Sequence, residues 1–195
     1  MQVTKIEKAR NKYRVYLNDE PCFILTAAEY ASCHINENEE LSEERYRMIC
    51  GDILLKRAKL RCLKLLEIRD RTEDELKRKL SQDLFPEEVI SDALEYVRSY
   101  HYIDDEAYAQ RYVQANKDRC GRKMLTYELI RRGIAPDIAA AAVDDEGTDE
   151  AEAIRKWNRK RNFDPAQADE KERARQIRFL VGKGFSLHHI LKEME

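Results

Sequence analysis

The spacing of apolar and polar residues changes once along the chain. Residues 3–30 hold short apolar runs, with alternation at 13–17, a turn signal, and a second run at 22–25. This pattern is typical of β-strands joined by a tight turn. From Ser42 onward, apolar residues recur three or four positions apart, as on one face of an α-helix. The sequence therefore predicts a mostly α-helical protein with a short N-terminal β-hairpin extension, to which residues 3–6 could add a strand.

A similar segment occurs three times in the helical part. In each copy a helix rich in basic residues includes a leucine near its end. Four residues later comes a small or apolar residue that should end the helix, and a new helix with apolar residues then begins. The three leucines, Leu80, Leu129 and Leu180, lie 49 and 51 residues apart. A period of about fifty residues predicts a tandem array of three three-helix repeats. We therefore expect an extension and three repeats, with these bounds: 1–50, 52–103, 104–146 and 149–195.

Residues that start and stop helices fit this division. Thr26 with Glu29 forms a capping-box pattern, and Thr72 and either Asp104 or its neighbour Asp105 stand where later helices should begin. Glycines predict the ends of two helices: Gly51, with Asp52 as the next cap, and Gly133. The leucine pattern predicts that three side chains lie in the core: Leu76, Leu80 and Leu129.

The composition argues against a dedicated nucleic-acid binder. Charged residues make up 38% of the chain, but the net charge is −2. The charge is unevenly distributed, because residues 36–44 are acidic whereas residues 111–132 and 153–161 are basic. Such runs are usually solvated helix faces, although they permit a local anionic partner.

The sequence contains no recognisable catalytic or metal-binding motif. Phosphate-binding loops, the nucleophile elbow and the zinc-protease motif are all missing. His188 and His189 are adjacent and would point in different directions on a helix, and the five cysteines lack metal-site spacing. The acidic cluster 104–106 sits where a helix should start. We predict a binding protein rather than an enzyme, with no catalytic residue, metal or cofactor.

The N-terminus has no apolar leader, and no apolar run is long enough to cross a membrane. These features, with an odd number of cysteines, predict a cytoplasmic protein with reduced thiols and no membrane partner.

Basic residues recur beside the repeat leucines and form the predicted partner-binding site. Its members are Arg71, Lys77, Lys79, Arg122, Lys123, Arg131 and Arg132. A basic stripe across two repeats would suit a linear polyanion or a filamentous protein with a repeating acidic groove. Two alternatives remain: a helical DNA-binding module related to helix-turn-helix proteins, and a helical adaptor without nucleic acid. Five tyrosines either stack bases or, as we favour, bridge two repeats: Tyr96, Tyr100, Tyr102, Tyr108 and Tyr112.

Two motifs resemble those of the RecX family, which modulates the bacterial recombinase RecA. Residues 71–80 read Arg-Thr-Glu-Asp-Glu-Leu-Lys-Arg-Lys-Leu, and residues 97–109 contain Tyr-Ile-Asp-Asp-Glu-Ala-Tyr-Ala. Gly121 and residues 129–134 fit the family's second repeat. The resemblance implies a monomer that binds RecA or its nucleoprotein filament and inhibits strand exchange and ATP hydrolysis, within homologous recombination, DNA repair and the SOS response. It also implies weak binding of single- or double-stranded DNA.

One position departs from the family pattern. Leu84 stands where many members have glycine, at the end of the second helix of repeat one. Leucine adopts the left-handed conformation of a helix C-terminus only at a cost. We therefore expect this helix to end in a different way.

Overall fold

The computed structural model describes residues 1–145, 147 and 149–195. The predicted end of the second repeat at 146, and residues 146 and 148 of the predicted acidic loop, lie outside the described residues. The described part is mostly helical, with a small N-terminal sheet. Its strands are β1 (Val3–Ala9), β2 (Lys12–Leu17) and β3 (Glu20–Thr26). Its α-helices are α1 (Ala27–Cys33), α2 (Glu43–Met48), α3 (Leu55–Ile68), α4 (Glu73–Gln82), α5 (Glu87–Ser99), α6 (Asp105–Asn116), α7 (Arg122–Arg131), α8 (Pro136–Asp145), α9 (Glu150–Lys160), α10 (Glu170–Gly182) and α11 (Leu187–Lys192).

The N-terminal sheet has the strand order β1-β2-β3, and each strand is antiparallel to its neighbour. The alternation expected from the sequence is present, because Val15 and Leu17 of β2, and Phe23 and Leu25 of β3, are buried. A hairpin alone is only marginally stable in water. Here the buried side chains join the same hydrophobic core as residues of α3, α4 and α5, so the sheet is part of a larger folded unit.

The chain forms two compact units, Met1–Ile103 and Asp104–Glu195. The first contains the sheet and the helices α1 to α5. The second contains two three-helix groups, each with its own core: one around Leu125 and Leu129, the other around Ile154 and Leu180. Three leucines predicted to lie in the core are fully buried, as expected: Leu76, Leu80 and Leu129.

The predicted helix starts at Thr26, Thr72 and Asp104 are confirmed. Thr26 and Glu29 form a reciprocal capping box at α1. The Thr72 side chain accepts a hydrogen bond from the backbone N–H of Glu75, and Asp104 accepts one from Ala107 at 2.9 Å. Each cap satisfies a backbone donor that the first turn of a helix leaves without a partner.

The predicted break at Gly51 is wrong, and Asp52 does not cap a new helix. A π-helix over residues 49–54 joins α2 to α3, and the backbone stays right-handed through both junctions. Glycine lowers helix stability by about 1 kcal/mol relative to alanine, which is a modest cost. The side chains of Ile49, Cys50 and Leu54 are buried in this segment, and their burial outweighs that cost. The predicted boundary between residues 50 and 52 thus falls inside one continuous helix.

The expectation that α4 ends differently from its counterparts is also wrong. Leu84 adopts the left-handed conformation, with a φ of 56°. The backbone N–H of Phe85 then donates a 3.2 Å hydrogen bond to the carbonyl oxygen of Leu80. This closure returns Phe85 to the core, where it is 7% exposed. The burial of an aromatic ring offsets the strain at leucine, which amounts to about 1–2 kcal/mol.

The corresponding helices α7 and α10 end by the same closure, with glycine at the left-handed position. Gly133 and Gly184 have φ angles of 87° and 84°. The hydrogen bonds run from Ile134 to Leu129 at 3.1 Å and from Phe185 to Leu180 at 3.3 Å. The three leucines that define the sequence period therefore occupy equivalent places in three equivalent helix ends.

Candidate partner-binding surfaces

Arg71, the first residue of the predicted binding site, is mostly buried. Its side chain is 11% exposed and lies 3.9 Å from the carboxylate of Glu75. Its Nε donates a 3.2 Å hydrogen bond to the carbonyl oxygen of Leu65 in α3. Arg71 therefore ties the end of α3 to the start of α4 and offers little charge to a partner.

The other two predicted residues of the first unit, Lys77 and Lys79, lie on different faces of α4. Residues two positions apart in an α-helix point about 200° apart around the helix axis. Lys77 Nζ forms a 2.5 Å ion pair with Glu87. The hydrogen bond to Glu87 and the negative charge of that carboxylate raise the pKa of Lys77. Lys79 Nζ donates to the side chain of Gln82 at 3.1 Å. The two lysines do not form one basic surface.

In the second unit, two of the predicted arginines hold the three-helix group α6–α8 together. Arg122 forms an ion pair with Asp144 and approaches the carbonyl oxygen of Val143 at 3.4 Å. Arg132 donates to the hydroxyl of Tyr108 at 3.1 Å, and its guanidinium lies 5.0 Å from the centroid of the Tyr112 ring. Both arginines connect α7 to neighbouring helices.

The remaining two, Lys123 and Arg131, share an outward face of α7 with two apolar side chains. Tyr127 is 60% exposed and Ile130 is 43% exposed. Positions 123, 127, 130 and 131 fall on one side of a helix, opposite the buried leucines of α7. Arg131 pairs with Glu128 on the same helix at 2.8 Å, and its side chain is still 62% exposed. We call Lys123, Tyr127, Ile130 and Arg131 the α7 face.

Tyr127 and Ile130 were not among the predicted site residues. A signal was available, because both are apolar yet out of phase with the stripe of Leu125 and Leu129 that enters the core. Exposed apolar residues grouped with cations are typical of protein interfaces, where aromatic and basic side chains are enriched.

The predicted tyrosine cluster forms separate contacts in each unit. In the first unit, Tyr96, Tyr100 and Tyr102 make a series of ring contacts, with centroid separations of 4.8 and 5.9 Å. The ammonium group of Lys59 lies 4.5 Å from the centroid of Tyr96. In the second unit, Tyr108 and Tyr112 both contact Arg132, directly after α7, as described above.

A buried carboxylate joins the two three-helix groups of the second unit. Glu150, at the start of α9, is 3% exposed. Its Oε1 accepts from the backbone N–H of Arg122 at 2.9 Å, and its Oε2 accepts from that of Ser186 at 3.1 Å. The Nδ1 atom of His189 lies 2.8 Å from the same Oε2. Burial acts to raise the pKa of Glu150, but these hydrogen bonds outweigh it and hold the pKa below its usual value.

Two glycines meet at the same junction. The backbone N–H of Gly121 donates a 3.0 Å hydrogen bond to the carbonyl oxygen of Lys183. A β carbon on Gly121 would lie 2.3 Å from the backbone of Gly184, and one on Gly184 would lie 2.4 Å from the amide nitrogen of Met124. Only glycine lets these backbones approach so closely.

The described residues include no group of three histidine, cysteine or acidic side chains that could hold a metal ion. Burial raises the pKa of Cys50 to about 12 and that of Cys62 to about 11. Such thiols stay protonated at neutral pH and are poor nucleophiles. No helix within the described ranges has both the length and the apolar character of a membrane span.

Three family models match the chain, in the same order as its helical groups. They describe the first, second and third three-helix domains of RecX and match residues 58–96, 104–143 and 148–192. The matches correspond to α3–α5, α6–α8 and α9–α11.

Curated proteins and solved structures give the same picture. The chain is 28% identical to the regulatory protein RecX of Caldanaerobacter subterraneus subsp. tengcongensis, over 100% of this chain and 98% of that protein. It is 24% identical to a regulatory protein RecX of Clostridium botulinum, over 99% and 94%. A crystal structure of regulatory protein RecX superposes with a TM-score of 0.63 at 25% identity and covers 96% of each chain. The RecX structure from Lactobacillus salivarius gives 0.59 at 22% identity, over 72% of this chain and 94% of that one, which supports the fold.

Proposed function

Because the chain belongs to the RecX family, we propose that it is a regulatory protein that binds the RecA recombinase or its nucleoprotein filament and inhibits strand exchange and ATP hydrolysis. It acts as a binding protein without catalytic activity, in homologous recombination and DNA repair in the cytoplasm. It needs no cofactor and functions as a monomer. The division into an extension, 1–50, and three repeats, 52–103, 104–146 and 149–195, is part of this proposal.

The α7 face is the structural feature that most directly supports this proposal. It combines two cations with an exposed aromatic ring and an exposed aliphatic side chain, Tyr127 and Ile130. A DNA backbone would be recognised by cations, with little use for Ile130. A protein surface with acidic and apolar groups would use all four side chains. Among the predicted site residues, Lys123 and Arg131 are therefore the ones we propose to contact the partner directly.

The other predicted site residues have supporting roles in this proposal. Arg71, Arg122 and Arg132 position the helices, since each is bound to neighbouring backbone or side-chain groups. Lys77 and Lys79 contribute to the rate of association, because rim charges steer encounter more than they add affinity.

The test is a pull-down of the purified full chain on RecA filaments, with and without single-stranded DNA, together with a strand-exchange assay. The double variant Lys123→Glu/Arg131→Glu should lose filament binding and inhibition while its helicity and melting stay unchanged. The matched control is Lys171→Glu/Lys192→Glu, which makes the same charge change at exposed positions of α10 and α11. If both variants inhibit strand exchange like the parent chain, the α7 face is not the interface.

The salt dependence of binding separates this function from the DNA-binding alternative. Direct binding through many phosphate contacts would weaken steeply as salt rises, whereas docking on a protein surface would weaken gradually. Retention by single-stranded DNA alone, with a steep salt dependence and no added effect of RecA, would favour the DNA-binding module.

A further inference from the structure

The second unit carries a second group of surface cations, arranged around two aromatic rings. Trp157 of α9 and Phe179 of α10 pack edge to face, with ring centroids 5.2 Å apart and planes at 72°. The ammonium groups of Lys160 and Lys183 lie 4.9 and 5.2 Å from the centroid of Trp157. We call these four residues the Trp157 cluster; none of them belongs to the α7 face.

A hydrogen bond holds the Trp157 ring in place, and an arginine contacts the Phe179 ring. The indole N–H of Trp157 donates to the carbonyl oxygen of Arg119 at 3.1 Å. The guanidinium of Arg161 lies 4.1 Å from the centroid of Phe179, and its Nε donates to Gln176 at 2.9 Å. The side chain of Gln176 is buried and donates to Asn158 at 2.8 Å. The cluster is therefore built on rigid helices, which lowers the entropy lost when a ligand orders its side chains.

The cations at this site are not neutralised. Along the described parts of the chain, the basic side chains of Lys160, Arg161 and Lys183 form no ion pair with a carboxylate. Their neighbours on α9 behave differently, because Arg155 and Arg159 pair with Glu152, and Lys156 pairs with Asp118. Three cations concentrated around two rings produce a local positive potential in a chain whose net charge is −2.

We infer that the Trp157 cluster docks an acidic segment of a protein partner, one with several carboxylates close together in sequence. This inference rests on the proposed function, since the segment would belong to the regulated protein. Lysine side chains already lie over the Trp157 ring, and its N–H is in use. Nucleic-acid bases would need an open ring face for stacking, whereas carboxylates need only the cations.

The chain contains one tryptophan, so its fluorescence reports this site directly. The full chain is titrated with a short poly-glutamate peptide and with an oligothymidylate of equal length, at the same ionic strength. Binding of a labelled peptide is followed in parallel by fluorescence anisotropy. We expect the peptide to change tryptophan emission saturably and to bind more tightly than the oligonucleotide.

The variant Lys160→Gln/Lys183→Gln should weaken peptide binding by roughly three- to tenfold, as expected for loss of two surface charge contacts. The control Lys171→Gln/Lys192→Gln removes the same charge elsewhere in the unit and should leave binding nearly unchanged. Circular dichroism verifies that both variants are folded.

Three results would overturn the inference: tighter binding of the oligonucleotide, an equal loss of affinity in the control, or no peptide binding by anisotropy. RecA is not present in this experiment, so its outcome is independent of the filament pull-down. If the parent chain binds the peptide but does not bind the RecA filament, the proposed function is contradicted while the proposed site for an acidic segment is still supported.

Discussion

A β carbon added to Gly121 would lie 2.3 Å from the carbonyl carbon of Gly184, well inside van der Waals contact. The two residues belong to different three-helix groups of the second unit, and the atoms that meet are backbone atoms. Neither side can therefore relieve the overlap by a change of rotamer. The packing of these two groups depends on two residues that have no side chain.

Gly121→Ala should accordingly lower the free energy of unfolding by about 1–3 kcal/mol, the cost of overpacking. Gly182→Ala is the matched control, because no described atom beyond the adjoining backbone of α10 lies within 4 Å of the β carbon that it adds. Alanine in a helix is favoured over glycine, so the control should be neutral or slightly stabilising. Urea unfolding of both variants measures the difference, and equal stabilities would contradict the close contact.

Glu150→Gln should cost about 1–3 kcal/mol at neutral pH, because the amide leaves a buried donor without an acceptor. The effect should depend on pH. The pKa of Glu150 in the folded protein is below its usual value. The stabilisation is therefore fully present at pH values above the pKa of glutamate in the unfolded chain, about 4.3. It is lost as pH falls through the folded pKa.

The difference in stability between the parent chain and Glu150→Gln should therefore shrink from pH 7 to acid pH. Denaturant titrations at several pH values check this. A difference that stays constant across that range would show that the carboxylate charge has no part in the stabilisation.

Leu84→Gly should raise the free energy of unfolding by about 0.5–1 kcal/mol. Glycine removes a left-handed strain of about 1–2 kcal/mol and adds about 0.4–1 kcal/mol of entropy to the unfolded chain. Gly133→Ala, at the equivalent end of α7, should have the opposite effect and destabilise by about 1–2 kcal/mol. Thermal melts of the pair test the sign, and a loss of stability in Leu84→Gly would mean that its side-chain contacts outweigh the strain.

Leu80→Ala should cost about 2–5 kcal/mol, since the side chain is fully buried and its removal leaves a cavity. Leu60→Ala removes the same atoms from a residue that is 58% exposed, and should change stability by less than about 0.5 kcal/mol. Chemical denaturation of the two variants measures both values. Similar costs at the two positions would contradict the assignment of Leu80 to the core.

The features that could be predicted from the sequence are those set by local chemistry. Thr72 and Asp104 cap helices because a side-chain oxygen at that position meets a donor only three residues away. The leucine period revealed the three groups because each repeats the same local packing. Gly51 led to a wrong prediction because its local preference for ending a helix was outweighed by the burial of Ile49 and Leu54 nearby.

The surfaces were harder to predict because they depend on residues distant in sequence. Arg122 and Arg132 look like Lys123 and Arg131 in the chain, but the folded partners Asp144 and Tyr108 occupy the first two. Glu150 reads as an ordinary acidic residue in a first helical turn. Its role depends on backbone donors 28 and 36 residues away, at Arg122 and Ser186.

The continuous helix from α2 through the π-helix into α3 has a consequence for how the N-terminal part can be removed. A truncation at residue 51 would cut this helix in the middle and remove Ile49 and Cys50 from the core that also contains Leu54. The sheet and the first three-helix domain should therefore resist limited proteolysis, or be degraded, as one unit. Protease sites should open near the chain's turns before any cut separates residues 1–50 from the rest.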